Sequence, residues 1–208
     1  MKVIIQRVKE ASVKVDGKVV SAIKEGLLCL VGIGRDDTQD DAKWMSNKLL
    51  SLRLWPNANE KPWQESVKTR GCEVLLVSQF TLHAILKGNK PDFSHSMRPD
   101  EAKIFFDDFV KSCQQQHVAE KVKAGVFGAN MDVQLVNDGP VTIPLDTELV
   151  HITRKPAKAT QKPKKGKKKA PKGESSKTVK DAEDAALKGI ETLTFPSQKE
   201  KTEATPKQ

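Results

Sequence analysis

The patterning that can build a hydrophobic core stops at about residue 153, and that boundary limits every reading of the chain. Up to there, 20 Lys and Arg are matched by 20 Asp and Glu. From Arg154 to Gln208 the count is 16 against 7, so this last quarter carries the whole formal charge of +9. Arg154 to Lys172 holds ten basic residues, three prolines and no acid. Such a segment buries too little apolar surface to offset the entropy of ordering it. The expectation is one domain, 1–153, followed by a lysine-rich, low-complexity tail, 154–208, disordered in isolation. A weak amphipathic spacing at Val179, Ala182, Ala186, Ile190 and Leu193 does not alter that expectation.

Within the first 153 residues the apolar period changes several times. Val3 to Val8 and Ala11 to Val15 alternate weakly, as half-buried strands do, and Asp16-Gly17 is a hairpin signal leading to a second arm, Val19 to Ile23. Leu27 to Ile33 is a continuous apolar run, expected to be buried on both faces. After Asp36-Asp37-Thr38, residues Ala42, Met45, Leu49 and Leu52 recur at helical spacing. A short strand is expected at Leu52 to Trp55 and a buried one at Glu73 to Phe80. The stripe Ala102, Phe105, Phe106, Phe109, Val110 and Cys113 predicts a helix over Pro99 to His117. Met131 to Val136 alternates, Asn137-Asp138-Gly139-Pro140 breaks it, and Val141 to Leu145 is a last short strand. Mixed, largely antiparallel β-sheet closing barrel-like, with two main helices, is an α+β fold.

Several classes are excluded on the same grounds. No run approaches the roughly 18 apolar residues of a membrane span, and the opening Met-Lys-Val-Ile-Ile-Gln-Arg is too short an apolar stretch for a secretory signal. Cys29, Cys72 and Cys113 are an odd number at wide spacing, which suits packed thiols in a reduced, intracellular compartment. His83, His95, His117 and His151 show no ligand spacing, so neither a metal nor another cofactor is expected. Gly32-Ile33-Gly34 lacks the third glycine of a nucleotide loop and is followed by acids, so it reads as a strand-exit turn. Lys87-Gly88-Asn89-Lys90 has neither the spacing nor the ending of a phosphate-binding P-loop.

Two motifs carry more than this. Ser78-Gln79-Phe80-Thr81-Leu82 and, later, Asn137-Asp138-Gly139-Pro140-Val141-Thr142 resemble the motif pair of the D-aminoacyl-tRNA deacylases. Gln6-Arg7-Val8, Ala11-Ser12-Val13 and Gly125-Val126-Phe127-Gly128-Ala129-Asn130-Met131 are similar to that family's flanking segments. The resemblance runs from Met1 to about Leu145 and leaves the tail unmatched.

The resemblance implies an enzyme that hydrolyses the ester between a D-amino acid, or mischarged glycine, and the 3′ end of tRNA. It implies an α+β homodimer whose Gly139-Pro140, in a cis peptide, enters the partner's active site and excludes L-side chains. Arg7 would support that segment, its fixed fork suiting carbonyl oxygens, and Asn137, Phe127 and Met131 would support the site. Ser78, Gln79, Phe80 and Thr81 would be catalytic, with backbone N–H groups near Phe80 and Thr81 as oxyanion donors. Thr81 is a nucleophile on one reading. On the other, the tRNA's terminal 2′-hydroxyl assists, and the absence of a general base beside Thr81 favours this second reading.

Lys87 and Lys90 are expected to contact the acceptor end, and Lys164, Lys165, Lys167, Lys168 and Lys169 further nucleic acid. The rival reading is a nucleic-acid-binding protein that works through its tail on a dimeric platform. The expected location is the cytoplasm, with a nuclear one also open from the lysine run.

Overall fold

The structure, a computed structural model, describes residues 1–149. The tail and its lysines, with His151, lie outside the described residues.

The strand β1 (Lys2–Val15) runs 14 residues without interruption and organises the sheet. Asp16 and Gly17, both at positive φ (49° and 75°), turn it into β2 (Lys18–Ile23), as a two-residue hairpin of opposite hand to the common turns requires. β3 (Gly26–Gly32) then pairs with the first half of β1, while β2 pairs with the second. A helix, α1 (Gln39–Ser51), follows. Thr38 caps it in a reciprocal pairing with Asp41, whereas Asp37 turns away to the Gly34 N–H and the Met1 ammonium. β4 (Arg53–Trp55) and β5 (Glu65–Ser66) form a small ribbon, and α2 (Val67–Arg70) is one turn closed by Gly71 at φ 63°.

β6 (Glu73–Ser78) returns to the main sheet parallel to β3. A 3₁₀ turn, Phe80–His83, and the hairpin β7 (Ile85–Lys87) with β8 (Lys90–Asp92) follow. α3 (Pro99–Gln116) is the longest helix, started by proline in its first turn. β9 (Val122–Ala124) adds beside β6, and β10 (Asp132–Asp146) lies antiparallel along all of β1. The strand order β10-β1-β3-β6-β9, with β2 also on β1, is the mixed, nearly closed sheet of an α+β fold.

The strands β3 and β6 are buried on both faces. Leu27, Cys29, Val31, Val74 and Leu76 face α1 and α3, where Phe106 and Phe109 are buried. Leu28, Leu75 and Val77 face the interior of the curl with Val8, Ala11, Val13 and Ile23. Each buried Val, Leu, Ile or Phe among them stabilises the fold by about 1.5–3 kcal/mol through burial.

Two sequence expectations are corrected. Asn137 to Pro140 does not break the chain into two separate strands. Arg7 pairs with Val141 and Val8 with Asn137, so Asp138, Gly139 and Pro140 are a bulge inside one 15-residue strand. The β6 strand stops at Ser78, and Phe80 belongs to the 3₁₀ turn. Among the described residues no helix is long and apolar enough to cross a membrane.

Candidate active site

β6 ends between β3 and β9, and Gln79 carries the ladder one residue further by donating its N–H to the Val31 carbonyl at 2.7 Å. The chain then tightens into the Phe80–His83 turn. Phe80 and Thr81 are its first residues, so their N–H groups have no acceptor within it. The Phe80 ring is exposed and stands edge-on to Phe93, with centroids 4.9 Å apart. Its carbonyl accepts a hydrogen bond from Ser96 Oγ at 3.0 Å. Gln79 Nε2 donates to Thr81 Oγ1 at 2.5 Å.

A residue the sequence reading passed over holds this turn. His83 is buried, and it packs where Gly32 and Gly34 have no side chains. A Cβ on Gly34 would sit 2.8 Å from His83 Cε1, and one on Gly32 would sit 2.8 Å from Leu82 Cβ and 3.2 Å from His83 Cδ2. Gly32-Ile33-Gly34 is therefore a strand exit that also makes room for an imidazole. Burial is the main cause holding the His83 pKa below the usual histidine value, which keeps the ring neutral. The signal in the sequence was the pair of glycines, but their partner lies 51 residues after Gly32 and 49 after Gly34.

Beside the turn is a cleft of about 910 Å³. Ser78, Gln79 and Phe80 form one side, Phe93 and Ser96 another, and Phe127 and Met131 a third. Phe127 is seated against Phe106 at 5.8 Å between centroids. Met131 packs over Gly125, where a Cβ would meet its sulfur at 2.8 Å. Five of the site residues expected from sequence thus come together. Thr81, next along the turn, is exposed and does not line the cleft.

Gly139 and Pro140 do not line it either. Their peptide bond is cis, and both are exposed on β10. The bulge is held from beneath. Arg7 Nε lies 2.9 Å from the Asp138 carboxylate and donates to the Asp138 carbonyl at 3.3 Å, while Nη1 donates to the Leu54 carbonyl. At its base Asn137 Oδ1 accepts the Val141 N–H at 2.9 Å, and Nδ2 donates to Thr142 Oγ1 at 3.1 Å. Arg7 and Asn137 therefore belong to the bulge, and the expected site residues fall in two places on one chain.

The candidate nucleic-acid lysines sit on the β7–β8 hairpin. Lys87 pairs with Asp92 at 2.8 Å, whereas Lys90 has no ion-pair partner among the described residues. Lys87 and Ser94 hold the Asp92 carboxyl well below its ordinary range. The three cysteines are free: Cys29 and Cys113 are buried, and Cys72 is half-buried. Burial pushes the Cys113 thiol up to about 12 and raises that of Cys29, so neither supplies a thiolate. Among the described residues no three His, Cys, Asp or Glu side chains gather as a metal site.

A mixed, nearly closed sheet with a mainly apolar cleft, and main-chain donors left over at its edge, suits hydrolysis of an activated acyl ester. The comparisons specify which. The profile of the family described as D-Tyr-tRNA(Tyr) deacylase matches residues 4–146. A D-aminoacyl-tRNA deacylase of Dictyostelium discoideum is 54% identical over 149 residues, spanning 71% of this chain and 99% of its own. D-aminoacyl-tRNA deacylase 1 of Homo sapiens is 44% identical over 147 residues, 71% of this chain and 70% of its own. A solved structure of a c-Myc DNA Unwinding Element Binding Protein superposes with a TM-score of 0.68 at 44% identity, covering 70% of this chain and 98% of that one. The chain belongs to the D-aminoacyl-tRNA deacylase family, hydrolases of the ester bond in aminoacyl-tRNA.

Proposed function

We propose that the protein removes D-amino acids, and glycine mischarged onto tRNA, while leaving L-aminoacyl-tRNA intact, a chiral proofreading step of translation carried out in the cytoplasm. The observation that carries this reading is the cleft beside Ser78, Gln79 and Phe80, with two N–H groups at the start of the turn. An aminoacyl ester is already activated, and one oxyanion donor is typically worth about 3 kcal/mol. The Phe80 and Thr81 N–H groups stabilise the oxyanion that forms as water adds to the acyl carbon.

Thr81 positions rather than attacks. Its oxygen already accepts a hydrogen bond from Gln79 Nε2, and an amide donor cannot take up a proton. No His, Asp, Glu or Lys side chain bonds to it among the described residues. The terminal 2′-hydroxyl of the tRNA is then the group that assists the attack.

Selection works by exclusion. The carbonyl oxygens of Gly139 and Pro140, set beside the substrate α-carbon, collide with an L-side chain. A D-side chain points away, and glycine offers nothing to reject. These residues lie apart from the cleft on one chain, so a second copy supplies them. The homodimer is supported by β10 itself, an edge strand of 15 residues. Val136 is exposed there, and an unpaired edge of this length is suited to pairing with another chain. Lys90 and Lys87 contact the acceptor end, and Lys164, Lys165, Lys167, Lys168 and Lys169 add phosphate contacts from the tail.

The test is release of tyrosine from D-tyrosyl-tRNA and L-tyrosyl-tRNA by the purified protein. Release of the D-enantiomer alone is expected, and equal release of both refutes the selection argument.

A further inference from the structure

Two N–H groups can stabilise an oxyanion only if their peptide planes are held in register, and a four-residue 3₁₀ turn holds its own first peptides poorly. The Phe80 carbonyl and the Thr81 N–H share one planar trans peptide, so they point in opposite directions and turn together. Whatever holds that carbonyl therefore aims that N–H. The side chain that holds it is Ser96, whose Oγ donates to the Phe80 carbonyl at 3.0 Å across 16 residues of chain.

Ser96 is itself fixed. It bridges Gly34 in antiparallel fashion. On either side of it, Arg35 N–H donates to the His95 carbonyl at 2.9 Å and Met97 N–H to the Ile33 carbonyl at 3.0 Å. Its own N–H donates to the Phe93 carbonyl at 2.9 Å, and the Phe93 ring braces Phe80. The neighbouring hydroxyl, Ser94, is committed to Asp92 and does not substitute. The segment is thus pinned to the exit of β3 and delivers one hydroxyl to one carbonyl at the wall of the cleft.

We propose that Ser96 is a positioning residue of the deacylase reaction: its hydroxyl sets the plane of the Phe80–Thr81 peptide and so aims the Thr81 N–H at the developing oxyanion. This rests on the reading of Phe80 and Thr81 as donors. Ser96 does not touch the reacting atoms. Removing it loosens a donor that works only in the transition state, which lowers kcat and leaves ground-state binding alone.

The test compares the full-length wild type with Ser96→Ala and Ser96→Thr on D-tyrosyl-tRNA, together with the ¹H–¹⁵N resonance of Thr81. For Ser96→Ala the expected result is a drop in kcat of about tenfold, a fraction of the roughly hundredfold loss of a whole donor, with KM within twofold and L-tyrosyl-tRNA still spared. Ser96→Thr keeps the hydroxyl and is expected within threefold of wild type. The Thr81 resonance shifts in Ser96→Ala and returns in Ser96→Thr. Unchanged kcat in Ser96→Ala overturns the proposal, as does a raised KM at full kcat, or a Ser96→Thr protein that is folded yet as slow as alanine. An inactive wild type refutes the deacylase reading instead. In that case the Thr81 resonance still decides whether Ser96 sets the peptide plane, and a static resonance overturns it.

Discussion

Replacing Gly139 by alanine tests the bulge as a device rather than a turn. Gly139 has φ +116°, a region that costs an L-residue about 1–3 kcal/mol. The added methyl would lie 3.0 Å from both Arg7 Nη2 and Val141 Cγ2, closer than ordinary contact. Val141 is anchored by its N–H to Asn137, so Arg7 has to yield, straining its bonds to Asp138 and Leu54. A net loss of about 2 kcal/mol is reasonable, which lowers Tm by about 4–8 °C for a domain of this size. Calorimetry on wild type and Gly139→Ala checks the first half. Deacylation of D- and L-tyrosyl-tRNA checks the second: a displaced bulge lowers the D-rate, weakens rejection of the L-ester, or both. A variant with wild-type Tm and a wild-type ratio of D to L rates refutes the reasoning, because the methyl would then fit without disturbing the selector.

Three further outcomes are expected. Thr81→Ala lowers kcat about tenfold, or ~1.4 kcal/mol; a ten-thousandfold loss in a folded protein would make Thr81 the attacking group. Deleting residues 154–208 leaves single-turnover deacylation within a few-fold at saturating substrate and flattens the log–log salt slope of RNA binding by about four, if half of the ten clustered cations engage; an unchanged slope removes the tail from binding. His83, neutral in the native state with a lowered pKa, contributes stability that is fully present above the ordinary histidine value near 6.5 and is lost as pH falls through its native pKa, since only the unfolded chain binds the proton between the two. An NMR titration of His83 with a midpoint above 6.5 contradicts that sign.

Local patterns were enough for the Asp16-Gly17 hairpin, a start of α1 within Asp36-Asp37-Thr38, the α3 stripe and the double burial of β3 and β6, because each is written in consecutive residues. The bulge was not legible. Asn-Asp-Gly-Pro has the local composition of a turn, and only the pairing of both halves of β10 with the same β1 makes it an excursion within one strand. That partner is more than 120 residues away. β9 is three residues long and carries no period of its own. The packing of His83 between Gly32 and Gly34 joins segments whose spacing follows no motif.

The site was legible only through its resemblance to a family, and its chemistry explains why. The groups assigned to the work are main-chain: the N–H of Phe80 and Thr81, and the carbonyls of Gly139 and Pro140. Every residue owns such groups, so composition and spacing do not announce them. What the sequence records is the apparatus that shapes the backbone. Glycine stands where φ is positive, Arg7 and Asn137 clasp the bulge, Ser96 reaches the Phe80 carbonyl, and Gly32 and Gly34 admit His83 beneath the turn. Sensitivity to substitution should follow that apparatus rather than the reactive side chains. A scan in which Arg7 and Gly139 cost more activity than Ser78 or Thr81, with Ser96 costing about as much as Thr81, is the pattern this chemistry demands, and the reverse order would return the catalytic role to the hydroxyls.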